Sequence, residues 1–142
     1  MKKLIYLVPV ALLLFLAGCK DKTEDELLTK TEIVSRTWVC EQAELIGATK
    51  TVIYKKGSSG NILELKDSFV SFTADGKYSG IDFNSSPQTG TWKFKDNETV
   101  AELDSWDYDF QLVNLTKTNL DFNTQVDYND KTYDIFVKMV PK

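Results

Sequence analysis

The fold is decided by residues 119–128, Asn-Leu-Asp-Phe-Asn-Thr-Gln-Val-Asp-Tyr. Apolar side chains at Leu120, Phe122, Val126 and Tyr128 alternate there with polar ones at the intervening odd-numbered positions. A period of two residues predicts a β-strand that buries one face and exposes the other. Parallel strands are covered on both faces and read as continuous apolar runs, so this alternation favours an antiparallel sheet.

The same alternation recurs in further runs along the chain, with turn residues between them. Asp75-Gly76 separates two such runs and is the strongest short-range hairpin signal in the sequence. Eight or nine strands are predicted in all. They are expected near residues 37–46, 50–55, 62–73, 77–83, 90–95, 99–104, 107–115, 118–127 and 131–140.

Consecutive short strands joined by tight turns indicate an up-and-down meander, which closes on itself to avoid bare edges. The predicted fold class is therefore all-β, a small antiparallel up-and-down β-barrel of about eight strands with one short N-terminal helix. Thr23 and Glu26 have the spacing of a capping box just before Leu27 and Leu28. This predicts a helix over 24–35, which we expect to plug one open end of the barrel.

The first eighteen residues have the features of a secretory signal. Met1-Lys2-Lys3 is a short basic start, and Leu4 to Leu16 is almost wholly apolar. A run of this length is too short to span a membrane, which takes about 20 apolar residues, and fits the apolar region of a signal peptide. The expected organisation is a lipoprotein signal peptide over 1–18, a lipidated tether over 19–26 and a barrel domain over 27–142.

The tetrad Leu16-Ala17-Gly18-Cys19 resembles the bacterial lipobox. The resemblance implies that Cys19 is the diacylglyceryl-modified, N-acylated first residue, with palmitate as an acyl chain, and that it anchors the protein to a membrane. The alternative is an ordinary cleaved signal followed by a chance cysteine. Cys19-Lys20-Asp21 resembles the export signal of surface lipoproteins in Bacteroidota. We therefore expect outer-membrane attachment, with the cell-surface and periplasmic faces both open.

Composition excludes several classes of function. The chain has no histidine, which removes Ser-His-Asp and Cys-His catalysis, and it has only two cysteines. Loss of Lys2 and Lys3 with the signal lowers the basic count from 17 to 15 against 21 acidic side chains, a net charge of −6. Such an acidic surface argues against nucleic-acid partners. Cys40 then has no partner in the chain, and we expect it to be buried rather than reactive. We expect neither an enzyme nor a cofactor.

Four motifs resemble the lipocalin-like domains of small bacterial lipoproteins of the Bacteroidota type. The motifs are Arg36-Thr37-Trp38, the stretch Phe-Thr-Ala-Asp-Gly-Lys-Tyr at 72–78, Gly90-Thr91-Trp92, and Leu-Thr-Lys-Thr-Asn-Leu at 115–120. They mark turns and core aromatic residues, so the resemblance implies the barrel fold more than a function. Arg36 is a departure, because the family often has glycine there. Trp38 is expected at the barrel floor, under the helix.

An eight-stranded barrel is wide enough to hold one small ligand or to be filled by its own side chains. One hypothesis is that inward aromatic residues line a cavity for a small apolar or amphipathic ligand, with tyrosine hydroxyls fixing its polar end. The alternative is that the same residues fill the barrel. The inward aromatic positions are Phe72, Tyr78, Trp92, Phe94, Tyr108, Phe110, Phe122 and Tyr133.

The loops offer a second candidate site. Residues 104–109, Asp-Ser-Trp-Asp-Tyr-Asp, supply oxygen ligands suited to Ca²⁺, but they lack the glycine and the distal glutamate of an EF-hand loop. A solvated strand edge also explains Asp107 and Asp109. Trp106 is either an exposed platform for a sugar ring or a packed aromatic at a strand end. Trp106 and the Gly57–Gly60 loop are where a solid barrel would contact a surface glycan or protein.

Overall fold

The computed structural model describes residues 28–142. The signal peptide, the lipidation of Cys19, the tether and the capping box of Thr23 and Glu26 are predictions that lie outside these residues. No helix within residues 28–142 is long and apolar enough to cross a membrane.

The described chain forms one short helix followed by nine strands, so all nine predicted strands are present. The elements are α1 Lys30–Val34, β1 Thr37–Leu45, β2 Thr51–Lys55, β3 Phe69–Phe72, β4 Lys77–Ile81, β5 Pro87–Lys95, β6 Val100–Leu103, β7 Phe110–Leu115, β8 Leu120–Tyr128 and β9 Lys131–Pro141.

The sheet closes because β1 pairs with strands on both of its edges. The first part of β1 pairs with β3, while its other edge runs antiparallel to β9 from Trp38 opposite Pro141 to Leu45 opposite Ile135. From β3 to β9 each strand pairs with the next one in sequence. The predicted fold class is confirmed: residues 28–142 form a closed antiparallel barrel of eight strands, with β2 as an extra strand on the second part of β1 and one short helix.

The barrel has two ends of different character. At the helix end, β1 begins directly after α1, and β9 finishes beside it. The opposite end, which we call the mouth, is where β1 ends and β9 begins. The mouth loops are residues 46–50, 82–86, 104–109 and 129–130.

The helix begins later than the sequence prediction over 24–35, because Leu28 and Thr29 are not helical. The Thr29 hydroxyl accepts a hydrogen bond of 3.2 Å from the Glu32 amide, and the Glu32 carboxylate accepts one of 2.7 Å from the Thr29 amide. The sequence before β1 thus contains two Thr-x-x-Glu spacings, at Thr23 and Thr29, and the second one caps α1. The predicted helix start is therefore wrong for the described residues.

Trp38 ties the helix to the barrel floor. Its side chain has no exposed surface, and its indole nitrogen donates a hydrogen bond of 2.8 Å to the carbonyl oxygen of Val34 in α1. The Arg36 side chain donates to the carbonyl oxygen of Lys117 at 2.8 Å, and its guanidinium carbon lies 5.7 Å from the Trp38 ring centroid. The arginine side chain therefore joins the start of β1 to the turn between β7 and β8 at this end of the barrel.

The predicted strand over 62–73 is wrong in its first part. Residues 62–68 form a loop, although Leu63 and Leu65 are buried and alternate with exposed neighbours as in a strand. The amides of Ile62 and Leu63 both donate to the carbonyl oxygen of Ile53, at 2.9 and 3.1 Å. The loop therefore folds over the free edge of β2 and adds apolar side chains to the mouth without joining the sheet.

Candidate functional site

The predicted inward aromatic residues pack mainly on one another. The rings of Phe110 and Phe122 stack with centroids 4.0 Å apart, and Phe72 meets Trp92 edge-on at 5.1 Å. These four side chains and Tyr78 are buried, whereas Phe94, Tyr108 and Tyr133 are partly buried. Direct contact between rings favours a filled interior in this part of the barrel. A role in binding a ligand stays a prediction for these residues.

An apolar pocket of about 140 Å³ opens at the mouth, and we call it the mouth pocket. Ile53 and Val126 are each 3% exposed and form its buried part, while Ile62 and Tyr128 are 55% and 40% exposed and form its rim. Of the eight predicted aromatic residues, Tyr133 is the one that lines it. The full lining is Leu45, Ile53, Ile62, Leu63, Val126, Tyr128 and Tyr133.

Three local features bring these residues together. The pairing of β1 with β2 places Leu45 and Ile53 on neighbouring strands, and the loop over β2 adds Leu63. Asn129 and Asp130 have φ angles of 51° and 60°, the conformation of a tight two-residue hairpin turn. That turn fixes the β8–β9 register, in which Val126 lies directly opposite Tyr133.

The sequence prediction included only aromatic residues and did not identify the aliphatic residues of this lining. Leu63 carried a signal, because Leu63 and Leu65 alternate with Glu64 and Lys66, but alternation alone does not distinguish a strand from a loop laid across a sheet edge. The pairing of β1 with both β2 and β9, which encloses the pocket, joins residues far apart in the chain. That proximity follows from the strand order of the barrel, and no local sequence pattern predicts it.

A polar cluster around Asp127 lies on the face of the β8–β9 hairpin opposite the mouth pocket. The Tyr108 hydroxyl donates to the Asp127 carboxylate at 3.1 Å to each oxygen, and the Thr132 hydroxyl donates to it at 2.6 Å. Asp127 stands between Val126 and Tyr128, both of which line the mouth pocket. Asp127 is paired with Thr132, whereas the lining residue Val126 is paired with Tyr133, so the cluster lies on the other face of the hairpin and is not part of the pocket lining.

The acidic segment 104–109 has its own partners. The carboxylate of Asp104 accepts hydrogen bonds from the hydroxyl and amide of Thr91, at 2.8 and 3.0 Å, and these bonds lower the pKa of Asp104. Asp109 lies 3.4 Å from the ammonium group of Lys95, while Asp107 is exposed. Among residues 28–142, no group of three or more His, Cys, Asp or Glu side chains is arranged to hold a metal ion.

Trp106 is built into an aromatic cluster below the mouth loops. Its ring meets Phe110 at 5.3 Å and Phe83 at 5.8 Å, both nearly edge-on, and lies 6.2 Å from Tyr78. The side chain is partly buried, as expected of a packed aromatic at a strand end. A sugar contact by Trp106 or by the exposed loop Gly57–Gly60 stays a prediction.

Cys40 is buried, with 2% of its surface exposed, which confirms the prediction from sequence. Burial raises the pKa of its thiol to about 12, and the nearby Glu41 carboxylate acts in the same direction. A thiolate is the reactive form of cysteine, so this side chain is chemically inert at neutral pH.

Comparison of the chain with family models, with curated proteins and with solved structures gives no match in any of the three. The resemblance to lipocalin-like lipoproteins therefore rests on its four sequence motifs.

Proposed function

We propose that the protein is a non-catalytic binding protein, lipid-anchored in the cell envelope, whose mouth pocket takes the apolar part of a small amphipathic ligand. The observation that carries the proposal is the mouth pocket itself. It is concave and lined by aliphatic side chains and two tyrosines, whose hydroxyls are the polar side-chain groups of the lining residues. This is the usual composition of a small-molecule site.

The size of the pocket limits what it can take. Its volume is about 140 Å³, and an apolar cavity of about 150 Å³ holds a group the size of benzene. The mouth pocket therefore suits one ring or a short alkyl segment rather than the whole of a large hydrophobic molecule. The rest of the ligand would lie at the exposed rim, beside the phenol of Tyr128, so an amphipathic ligand fits better than a purely apolar one.

The proposed anchor is compatible with an accessible mouth. Leu28 leads directly into α1, which lies at the end of the barrel opposite the mouth. An acylated Cys19 would therefore join the domain at its helix end and leave the mouth facing away from the attachment point. The net charge of −6 after signal removal would also repel the domain from anionic headgroups.

The test is a titration with a neutral fluorescent probe, N-phenyl-1-naphthylamine, on the chain from residue 20 onward. Ile62→Asp and Val52→Asp form a matched pair, because both side chains are about half exposed, at 55% and 47%, but Ile62 alone lines the pocket. We expect Ile62→Asp to weaken probe binding at least about tenfold, since an apolar group would meet a charge. Val52→Asp is expected to bind as the parent does.

Two results would contradict the proposal. One is the absence of probe binding to a chain whose circular dichroism shows the folded barrel. The other is an equal loss of binding in both variants, because that would place the probe elsewhere or reflect a general effect of added charge.

A further inference from the structure

A second concave surface lies on the outside of the barrel, over β7, β8, β9 and the end of β1. It consists of two depressions of about 320 and 360 Å³ that both include Ile46 and Asn123. We call this surface the wall groove. Leu45 is the one lining residue that it shares with the mouth pocket. The two sites therefore lie next to each other. The mouth pocket opens at the end of the barrel, whereas the wall groove lies on the outer surface of the sheet.

Strand register arranges polar side chains in a row across the wall groove. Gln111 of β7 is paired with Asn123 of β8, Asn123 with Phe136 of β9, and Phe136 with Glu44 of β1. Residues paired directly across a sheet share a face, so all four side chains lie on the outside. From β7 to β1, the row presents two amides, then one aromatic ring, then one carboxylate.

The amides in this row are available to a ligand. The side chains of Gln111 and Asn123 make no hydrogen bond to any other residue in the range 28–142. Each amide offers two N–H donors and a carbonyl acceptor. In the adjacent row, the Gln125 amide donates to one oxygen of Asp134 at 2.8 Å, which leaves the other oxygen of that carboxylate as an acceptor.

Apolar surface lies beside these polar groups. Phe136 is partly buried and lines the groove, with the ammonium group of Lys138 at 5.7 Å from its ring centroid. Ile46 and Val113 are 50% and 57% exposed. Large aliphatic side chains with that exposure, grouped at a concave surface, are typical of a binding site.

We propose that the wall groove binds a neutral oligosaccharide. A sugar ring has an apolar C–H face and a rim of hydroxyls that both donate and accept hydrogen bonds, which matches free amides beside aliphatic and aromatic surface. Three acidic residues, Asp109, Asp134 and Glu44, line the groove against one basic residue, Lys50, so the groove is acidic. Sialylated, sulfated or phosphorylated glycans would meet like charge there and are disfavoured.

The experiment screens the full chain, held in lipid nanodiscs, on an array of neutral, sialylated and sulfated oligosaccharides, with empty nanodiscs as the blank. Affinity for the best neutral glycan is then measured by biolayer interferometry for the parent, for Gln111→Ala, for Asn123→Ala and for the double variant. Asn114→Ala is the control, because it removes an exposed amide from the same strand outside the groove.

We expect binding to neutral glycans, a fall of about fivefold for each single variant and at least tenfold for the double variant, since each loses hydrogen bonds to the sugar. The control is expected to stay within twofold. Selective binding of charged glycans, no binding to any glycan, or equal affinity of the double variant and the parent would each overturn the proposal. Probe binding at the mouth pocket should be unchanged in Asn123→Ala, so failure here is distinguishable from failure of the proposed function.

Discussion

The rings of Phe110 and Phe122 stack inside the barrel with their planes 12° from parallel and their centroids 4.0 Å apart. Neither side chain has any exposed surface. Trp106 and Phe83, from two mouth loops, contact the pair from above, at 5.3 Å from Phe110 and 6.5 Å from Phe122. This aromatic stack fills the part of the interior where the sequence allowed either a cavity or a packed core.

Phe110→Ala tests whether that interior is filled. Truncation of a fully buried phenylalanine removes its ring contacts and leaves a cavity, so we expect the free energy of unfolding to fall by about 3–5 kcal/mol in urea denaturation. Val113→Ala is the control. Its side chain is 57% exposed on the same strand, and its effect should stay within about 0.5 kcal/mol. A loss below about 1 kcal/mol in Phe110→Ala would mean that the ring is not part of a packed core.

Gly90→Ala tests the close packing between β4, β5 and the loop after β6. A Cβ atom at Gly90 would overlap the carboxylate of Asp104 and lie 3.1 Å from the ring of Tyr78. Displacing Asp104 would also break its bonds to Thr91, so we expect a loss of about 1–3 kcal/mol in the free energy of unfolding.

Gly60→Ala is the matched control for that variant. A Cβ atom at Gly60 would meet no atom within 4 Å, so the change should remain within about 0.5 kcal/mol. Equal stability of the two variants, measured by thermal unfolding at the same pH, would show that Asp104 is not held against Gly90.

Cys40 should be protected from thiol reagents in the folded chain from residue 20 onward. Its thiol is buried and its pKa is raised to about 12, so neither access nor ionisation favours reaction at pH 8. We expect Ellman's reagent to modify Cys40 only after addition of denaturant. A Val113→Cys variant provides an exposed thiol that should react at once. Rapid reaction of Cys40 in native buffer would contradict its place in the core.

The raised pKa of Cys40 also predicts a pH dependence of stability. In the unfolded chain the thiol ionises near its ordinary pKa of 9.0, whereas in the folded chain it stays protonated to about pH 12. The unfolded state therefore releases a proton first, and stability falls as pH rises between these values. Cys40→Ala lacks this contribution, so its stability should decline less steeply, by up to about 1.4 kcal/mol per pH unit. Parallel pH profiles in urea denaturation would contradict the assignment.

The sequence was sufficient for the fold because each strand has its own alternation and each hairpin its own turn chemistry. Leu120, Phe122 and Val126 are all buried, as their spacing predicts, and Asp75-Gly76 does join β3 to β4. The helix start and the loop after β2 were harder. Thr29 and Glu32 cap α1, but the sequence offers the same spacing at Thr23 and Glu26, and spacing alone does not rank the two. The loop after β2 alternates like a strand, and its position is set by hydrogen bonds from Ile62 and Leu63 to Ile53.

The candidate site was less accessible to prediction than the fold. Alternation identified Tyr133 as inward, and that residue lines the mouth pocket. It could not distinguish rings that pack on one another, such as Phe110 and Phe122, from rings that line a space. The contributions of Ile53 and Ile62 depend on how β2 and the following loop fold over the barrel edge, and a single sequence does not record that arrangement.

The most direct test of the mouth pocket as the binding site is nuclear Overhauser spectroscopy on the methyl-labelled chain with bound N-phenyl-1-naphthylamine. We expect contacts between the aromatic protons of the probe and the methyl groups of Ile53, Leu63 and Val126, which line the pocket. Contacts to the methyl groups of Val113 on the outer wall instead, or of Val70 and Val137 elsewhere in the core, would contradict it.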